Sequence, residues 1–459
     1  MIFNIEYTNE NLQSNTGLAV FSKMLEEVNP EPIFQRYQFT NRSTSYFYSD
    51  KDVLLSYLGL LLSGQINYEH IDFCRTDLLY KRSLCLEKVP SKETIRQRCD
   101  ILSRCNPLIF EVLNEWNQKL LERYALPGCI KGTELIPVDF DVTVLDNTGS
   151  KKEGVSQTYQ KKIEGYAPMM SNIGSQGYLL NLDFREGRRH SNCPGTSEYI
   201  LRTMNLARRL CPKQKLLARF DSGNDADANI VDLSDYPNSY FVIKHQQRGC
   251  NAARTKALLI EEVMNNYSTK HIKQGNAIYY NWEKESIACI IDKKGNQVMK
   301  SCRKILSVVE LTHDINTGAL LLIPYRSLHM WRTNLPKDQY SAEQVIELYK
   351  DHGTSEQFHS EFKSDLDVER LPSRKFLTNK LIMSLAKIAF NILRIIGHQA
   401  IQSRIIKPQK NLTRIRLRTV LLKIIYLPSK LIRKHKRWTI VLPRSNPLSQ
   451  LFWEIYKQI

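Results

Sequence analysis

Three short stretches of this 459-residue chain carry side chains that could bind a divalent cation and the phosphates beside it. In 137–146, Val138, Phe140, Val142 and Val144 alternate with Asp139, Asp141 and Thr143. An extended backbone therefore turns one face apolar and sets two carboxylates in a row on the other. At about 3.3 Å per residue the two stand roughly 7 Å apart, close enough to share or flank a cation. The second stretch, 216–224, is an apolar run that ends on Asp221 and turns at once through Ser222, Gly223 and Asn224. A carboxylate at the C-terminal edge of a strand is a common active-site position in open α/β sheets, although an Asp opening a turn has the same appearance. In the third, 349–363, Tyr349, Glu356 and Lys363 recur every seven residues with His352 and His359 between them. On one helix all five project from one face, an order suited to holding a metal and its phosphates.

Such side chains need rigid elements beneath them. The first 124 residues read as helical: 50–62 ends at Gly64, Ser91 is placed to cap a helix after Pro90, and 108–124 repeats apolar residues on one face at Phe110, Leu113, Leu120 and Tyr124. After Gly128 and Gly132 the pattern changes to strand alternation, with further runs at 178–184 and 216–220 and a helix at about 196–210 between them, which predicts a mixed α/β core. Strand signals dominate 230–330, at 240–244, 277–282, 287–291, 308–311 and 319–325, punctuated by Gly295-Asn296 and Asn316-Thr317-Gly318. From Ser341 the period is helical to about Tyr426, with one more helix at the C-terminus.

Charge adds a direction. The chain carries 65 Lys and Arg against 47 Asp and Glu, a net +18, yet no Asp or Glu falls between Arg370 and Trp453, where 19 Lys and Arg lie. A near-neutral body with a basic C-terminal part is the footprint expected of a polyphosphate partner, with an anionic membrane surface as the alternative. The apolar stretch 376–401 is interrupted by Lys380, Lys387, Arg394 and His398 and reads as a buried helix rather than a membrane span. The N-terminus has no basic-then-apolar signal pattern, and the ten cysteines form no C-x-x-C pair. The expectation is a cytoplasmic protein with reduced thiols and no membrane partner.

The spacing Tyr349, Glu356, Lys363, with His352 where an Arg is usual, resembles the signature of DDE transposases of bacterial insertion sequences. The 139–143 strand, Asp221-Ser222-Gly223, 331–335 and the basic run 414–437 resemble most closely the insertion-sequence 1380 group. The resemblance implies an α/β fold, a ribonuclease H-like mixed-sheet core interrupted by a β-rich insertion, with a helical N-terminal domain and a basic, mostly helical C-terminal part. Its expected boundaries are 1–130 for the helical DNA-binding domain, 131–230 and 336–403 for the two parts of the core, 231–335 for the insertion and 404–459 for the basic region. It further implies a catalytic, metal-holding triad of Asp141, Asp221 and Glu356, with Asp139 as the alternate first acid. Two Mg²⁺ or Mn²⁺ ions per site would activate the attacking oxygen and stabilise the leaving one.

By the same resemblance Tyr349, His352 and Lys363 contact phosphates near the scissile bond. Arg414, Arg416, Arg418, Arg433, Lys434, Lys436 and Arg437 belong to the basic run expected on DNA. Trp331 reads as strand packing, with a flipped-base contact as the second reading. The implied partners are double-stranded DNA, as terminal inverted repeats and target, and a second copy of the chain in the DNA complex. A metal-dependent nuclease that cuts without joining and a non-catalytic DNA-binding protein are the alternatives.

Overall fold

In the computed structural model the alternation around Asp141 resolves into strand β1, Leu135–Val142, an interior strand of a nine-stranded sheet. The strands that follow are β2 (Met169–Ile173), β3 (Tyr178–Asp183), β4 (Lys215–Phe220), β5 (Ser239–His245), β6 (Lys270–Gln274), β7 (Ala277–Ile291), β8 (Gln297–His313) and β9 (Leu320–Thr333). Their order across the sheet is β6-β7-β8-β9-β5-β4-β1-β2-β3. β1, β4 and β5 run parallel, β2 and β3 pair antiparallel on one side, and β9 joins antiparallel on the other. The residues described are 5, 7–37, 47–105, 107–160, 162–266, 270–292, 294–314, 317–403 and 412–459, so Asn316 of the expected turn lies outside them.

In the region expected as a β-rich insertion, β5 belongs to the parallel centre, and β7, β8 and β9 are long ribbons that extend the same sheet. A helix not anticipated there, α5 (Ala252–Asn265), packs its Leu259 and Val263 against Leu306, Val308 and Met330 of the ribbons.

Helices cover the sheet. In the N-terminal part α1 (Asp50–Leu62), α2 (Lys92–Ser103) and α3 (Leu108–Tyr124) form where expected, and Ser49 and Ser91 cap the first two by accepting from the backbone N–H groups of Asp52 and Thr94. α4 (Thr196–Leu210) connects β3 to β4. α6 (Ala342–Lys350), opened by a Ser341–Gln344 capping box, and α7 (Thr354–Ser360) carry the third stretch. The long α8 (Phe376–Gln402) packs on α1, α2, α3 and β3, and its apolar window is buried inside the protein as expected. Asn391 fixes α8 to the sheet: its amide accepts from Leu179 N–H and donates to Leu179 C=O, both at 2.8 Å.

The C-terminal region keeps the helical stretches expected before Tyr426 and at the C-terminus, and places strands between them. Ser429–Lys434 and Arg437–Val441 form a β-hairpin, β10 and β11, and Leu12–Gln13 adds a third strand to it. Leu417, Val420, Leu421, Ile424, Leu451 and Phe452 join the same core as the N-terminal helices and α8. Burying this surface holds the two ends of the chain together.

Candidate active site

Asp139 and Asp141 share a strand face, and their surroundings separate them. Arg219, the last residue but one of β4, is 1% exposed and grips Asp139 through Nε–Oδ1 at 2.6 Å and Nη2–Oδ2 at 2.8 Å. Arg219 Nη1 also donates to Leu348 C=O and to Asp351, and His352 Nδ1 lies 2.9 Å from Asp139 Oδ1. Burial alone would raise the Asp139 carboxyl, but Arg219 and then His352 outweigh it and hold it down at about 2. Asp139 is thus a fully engaged anion inside the protein. Asp141, two residues on, has no such cation: its carboxylate accepts from Val142 N–H, and burial pushes it up to about 7, with the charge of Asp221 adding to the effect and His352 opposing it. The alternate first acid is therefore spoken for, and Asp141 is the one with capacity to spare.

Asp221 sits where β4 ends. Its Oδ1 accepts from Gly223 N–H at 3.0 Å and Asn224 Nδ2 at 2.9 Å, so the turn that the sequence announced also orients the carboxylate. The turn is clamped from outside by Arg332 of β9, which donates to Asp225 (Nη2, 2.6 Å) and Asp227 (Nη1, 2.7 Å), while His245 Nδ1 lies 2.6 Å from the other oxygen of Asp225. Arg219 and Arg332 fall inside the stretches 216–224 and 331–335, where local pattern assigns them no role. The signal was an arginine inside an apolar strand, which must find a buried partner.

The third stretch is not the single regular helix that its seven-residue spacing implied. α6 ends at Lys350, a tight 3₁₀ turn covers Asp351–Gly353, α7 follows, and Glu361–Asp365 winds as a π-turn. The five side chains still meet at one cavity of about 1080 Å³, lined also by Asp141, Asp221, Lys244 and Trp331. Tyr349 packs at a tilt between Trp331 and His352, and burial followed by the charges of Asp221 and Asp141 raises its hydroxyl. Glu356 is exposed at the cavity mouth, and Lys363 Nζ donates to Val144 C=O at 3.3 Å from the wall. Trp331 is buried against Leu217, Val242 and Val345, in keeping with the packing reading. α7 can seat so closely because Gly177, at φ 71°, lies under the Phe358 ring, where a Cβ would come within 2.5 Å.

With the geometry in place, comparison with known proteins decides the family. Residues 3–459 match the family described as transposase DDE domain group 1. The chain belongs to that family. None of the curated proteins matches the chain. Among solved structures, the piggyBac transposase synaptic complex with hairpin DNA is similar at 12% identity and a TM-score of 0.42, over 91% of this chain and 83% of that one.

A DDE transposase acts on DNA, cutting and joining it, and its family generally uses divalent metal ions. Among the described residues no three His, Cys, Asp or Glu side chains stand close enough to form a ready-made metal cluster. The donor chemistry nevertheless fits. Asp141, Asp221 and Glu356 line one cavity, and the charge of Asp221 is near enough to oppose ionisation of Asp141, a condition that a hard oxygen-seeking cation relieves.

Part of this transposase's basic run is already engaged. Arg414 pairs with Glu361, which also takes the buried Arg394 at 3.1 Å, and Arg416 holds Asp365 through two nitrogens. These arginines brace the π-turn after Glu356, Arg414 from a largely buried position and Arg416 from a half-exposed one. His352, likewise, spends Nδ1 on Asp139. Arg418, Arg433, Lys434, Lys436 and Arg437 remain exposed, the last four around the β10–β11 hairpin.

Proposed function

We propose that this transposase cleaves the ends of its own insertion sequence, of the 1380 group, and joins the freed 3′-hydroxyls to target DNA. The observation that carries this reading is the division of labour on β1. Asp139 is neutralised by Arg219, whereas Asp141 faces the cavity shared with Asp221, Glu356, Tyr349 and Lys363. The order β3-β2-β1-β4-β5, with the first acid on the first of these strands in the chain and the second at the end of the fourth, supports a ribonuclease H-like core.

Asp141, Asp221 and Glu356 would hold Mg²⁺ or Mn²⁺, two ions per site, whose chemistry there is to activate the attacking oxygen and stabilise the leaving one. The chain's own groups do the rest. Buried Asp141 and the hydrogen-bonded Asp221 fix the donor positions before DNA arrives, so little reorganisation is left for the reaction. Lys363 at the cavity wall and Tyr349 at its side supply a cation and a hydroxyl to backbone phosphates. The aromatic wall of Trp331 and Tyr349 keeps water from one side of the site. Exposed Arg418 and the β10–β11 basic residues extend the phosphate track, and the N-terminal helices read the terminal repeats. Two copies of the chain act together because two ends must be cut and joined, and the setting is the bacterial cytoplasm.

Purified protein incubated with Mg²⁺ and DNA carrying the element's flanking ends tests the proposal when cleaved and joined products are resolved separately. Joined product from wild type and none from Asp141→Asn is the expected result. Cleavage without joining would replace the proposal with a nuclease, and binding with neither reaction would leave a DNA-binding protein.

A further inference from the structure

His359, one turn after Glu356, is used by nothing described so far. Its side chain is 95% buried in the wall of the cavity that holds the three acids. Nε2 is buried without a hydrogen-bond partner, and Nδ1 stands 3.5 Å from Asp141 Oδ2, too far for a good hydrogen bond. A polar ring enclosed with so little satisfaction costs stability, about 1–3 kcal/mol for each unmet group, and asks what it is kept for. Two donors bound to one ion at about 2.1 Å, with an angle of roughly 90–115° between them, lie about 3.0–3.5 Å apart. The Nδ1–Oδ2 separation falls at the upper end of that range.

We infer that His359 is a fourth protein ligand, placing an imidazole nitrogen beside Asp141 on the same cation. The inference rests on the reading of Asp141 as a metal-holding acid. An all-oxygen site suits Mg²⁺, and an imidazole tilts affinity toward first-row transition ions such as Mn²⁺. This site therefore prefers Mn²⁺ to Mg²⁺ by more than three carboxylates alone provide.

The test is binding of Mn²⁺ to the full chain without DNA, followed by titration and by pulsed EPR, which reads nitrogen coupled to the bound ion. Wild type is expected to show a ¹⁴N coupling that changes to the ¹⁵N pattern when histidine is ¹⁵N-labelled. His359→Gln is expected to lose it and to weaken Mn²⁺ binding by at least about tenfold, with a smaller change for Mg²⁺. His359→Asn serves if the first variant melts early, and the labelled wild type decides even if both do. A Mn²⁺ signal without nitrogen coupling, or a coupling lost in His352→Gln and kept in His359→Gln, overturns the inference while leaving the acids as ligands. Undiminished Mn²⁺ binding by Asp141→Asn instead overturns the underlying reading of the site.

Discussion

Replacing either carboxylate of β1 by its amide should have opposite effects on the stability of the metal-free protein. Asp141 is raised from 3.8 to about 7 by burial, and about three pKa units correspond to roughly 4 kcal/mol between its two protonation states. A group raised in the folded state stabilises fully below its unfolded value and loses that contribution as pH rises through the folded one. In EDTA, wild type should therefore lose up to about 4 kcal/mol from this group between pH 4 and pH 8. Asp141→Asn should lack that loss and be the more stable protein at pH 8. Asp139, held down at about 2, has the opposite sign: its contribution is complete above about pH 4 and disappears only as pH falls toward 2. Asp139→Asn takes from Arg219, at 1% exposure, its buried carboxylate partner and leaves it only the more exposed Asp351, at a cost of up to about 3–5 kcal/mol. Denaturant melts of the three proteins at pH 5 and pH 8, with and without Mn²⁺, read these differences. Saturating Mn²⁺ at a hundred times its Kd should restore about 2.7 kcal/mol to wild type and nothing to Asp141→Asn. Equal destabilisation by the two substitutions, or the same pH dependence in both, would refute the division of roles between the two acids.

Three further outcomes test the surroundings. Arg332→Gln should release the Asp221 turn and weaken Mn²⁺ binding about 10–100-fold while DNA binding in EDTA is unchanged, as read by metal titration and by filter binding. Glu361→Gln should cost about 3–5 kcal/mol in denaturant melts, because Arg394 at 1% exposure loses its carboxylate partner. Alanine at Arg433, Lys434, Lys436 and Arg437 together should reduce the slope of log K against log salt by about 3–4, at about 0.9 per phosphate contact, and an unchanged slope would move the DNA surface elsewhere. Deleting everything after Gln402 is no substitute for those four changes, since Leu417, Val420, Leu451 and Phe452 belong to the main core.

Periodicity made most of the scaffold legible. The period-two run through Asp141 became β1, the Ser91 cap and the 108–124 stripe became α2 and α3, and 196–210 became α4. What stayed hidden depended on partners distant in the chain. Asp139 and Asp141 read alike because the side chain that separates them, Arg219, arrives 80 residues later. The seven-residue stripe located the right side chains yet concealed the 3₁₀ turn, whose Asp351 is held by Arg219, and the π-turn, braced by Arg414 and Arg416, because these partners lie far away in the chain. Net charge along the tail overstated the free basic surface for the same reason: acids before Arg370 neutralise part of it. The β10–β11 hairpin gave no turn signal because His435 and Lys436 occupy positive φ, at 46° and 66°, where Asn and Gly are usual.

The most direct test of the central claim is strand transfer by the purified full chain with Mg²⁺ and DNA bearing the element's ends, comparing wild type with Glu356→Gln. Glu356 is exposed at the cavity mouth, so its amide should leave folding intact. The account predicts joined products from wild type and none from a Glu356→Gln protein that melts normally and still binds DNA. Wild-type levels of joined product from that variant would contradict it.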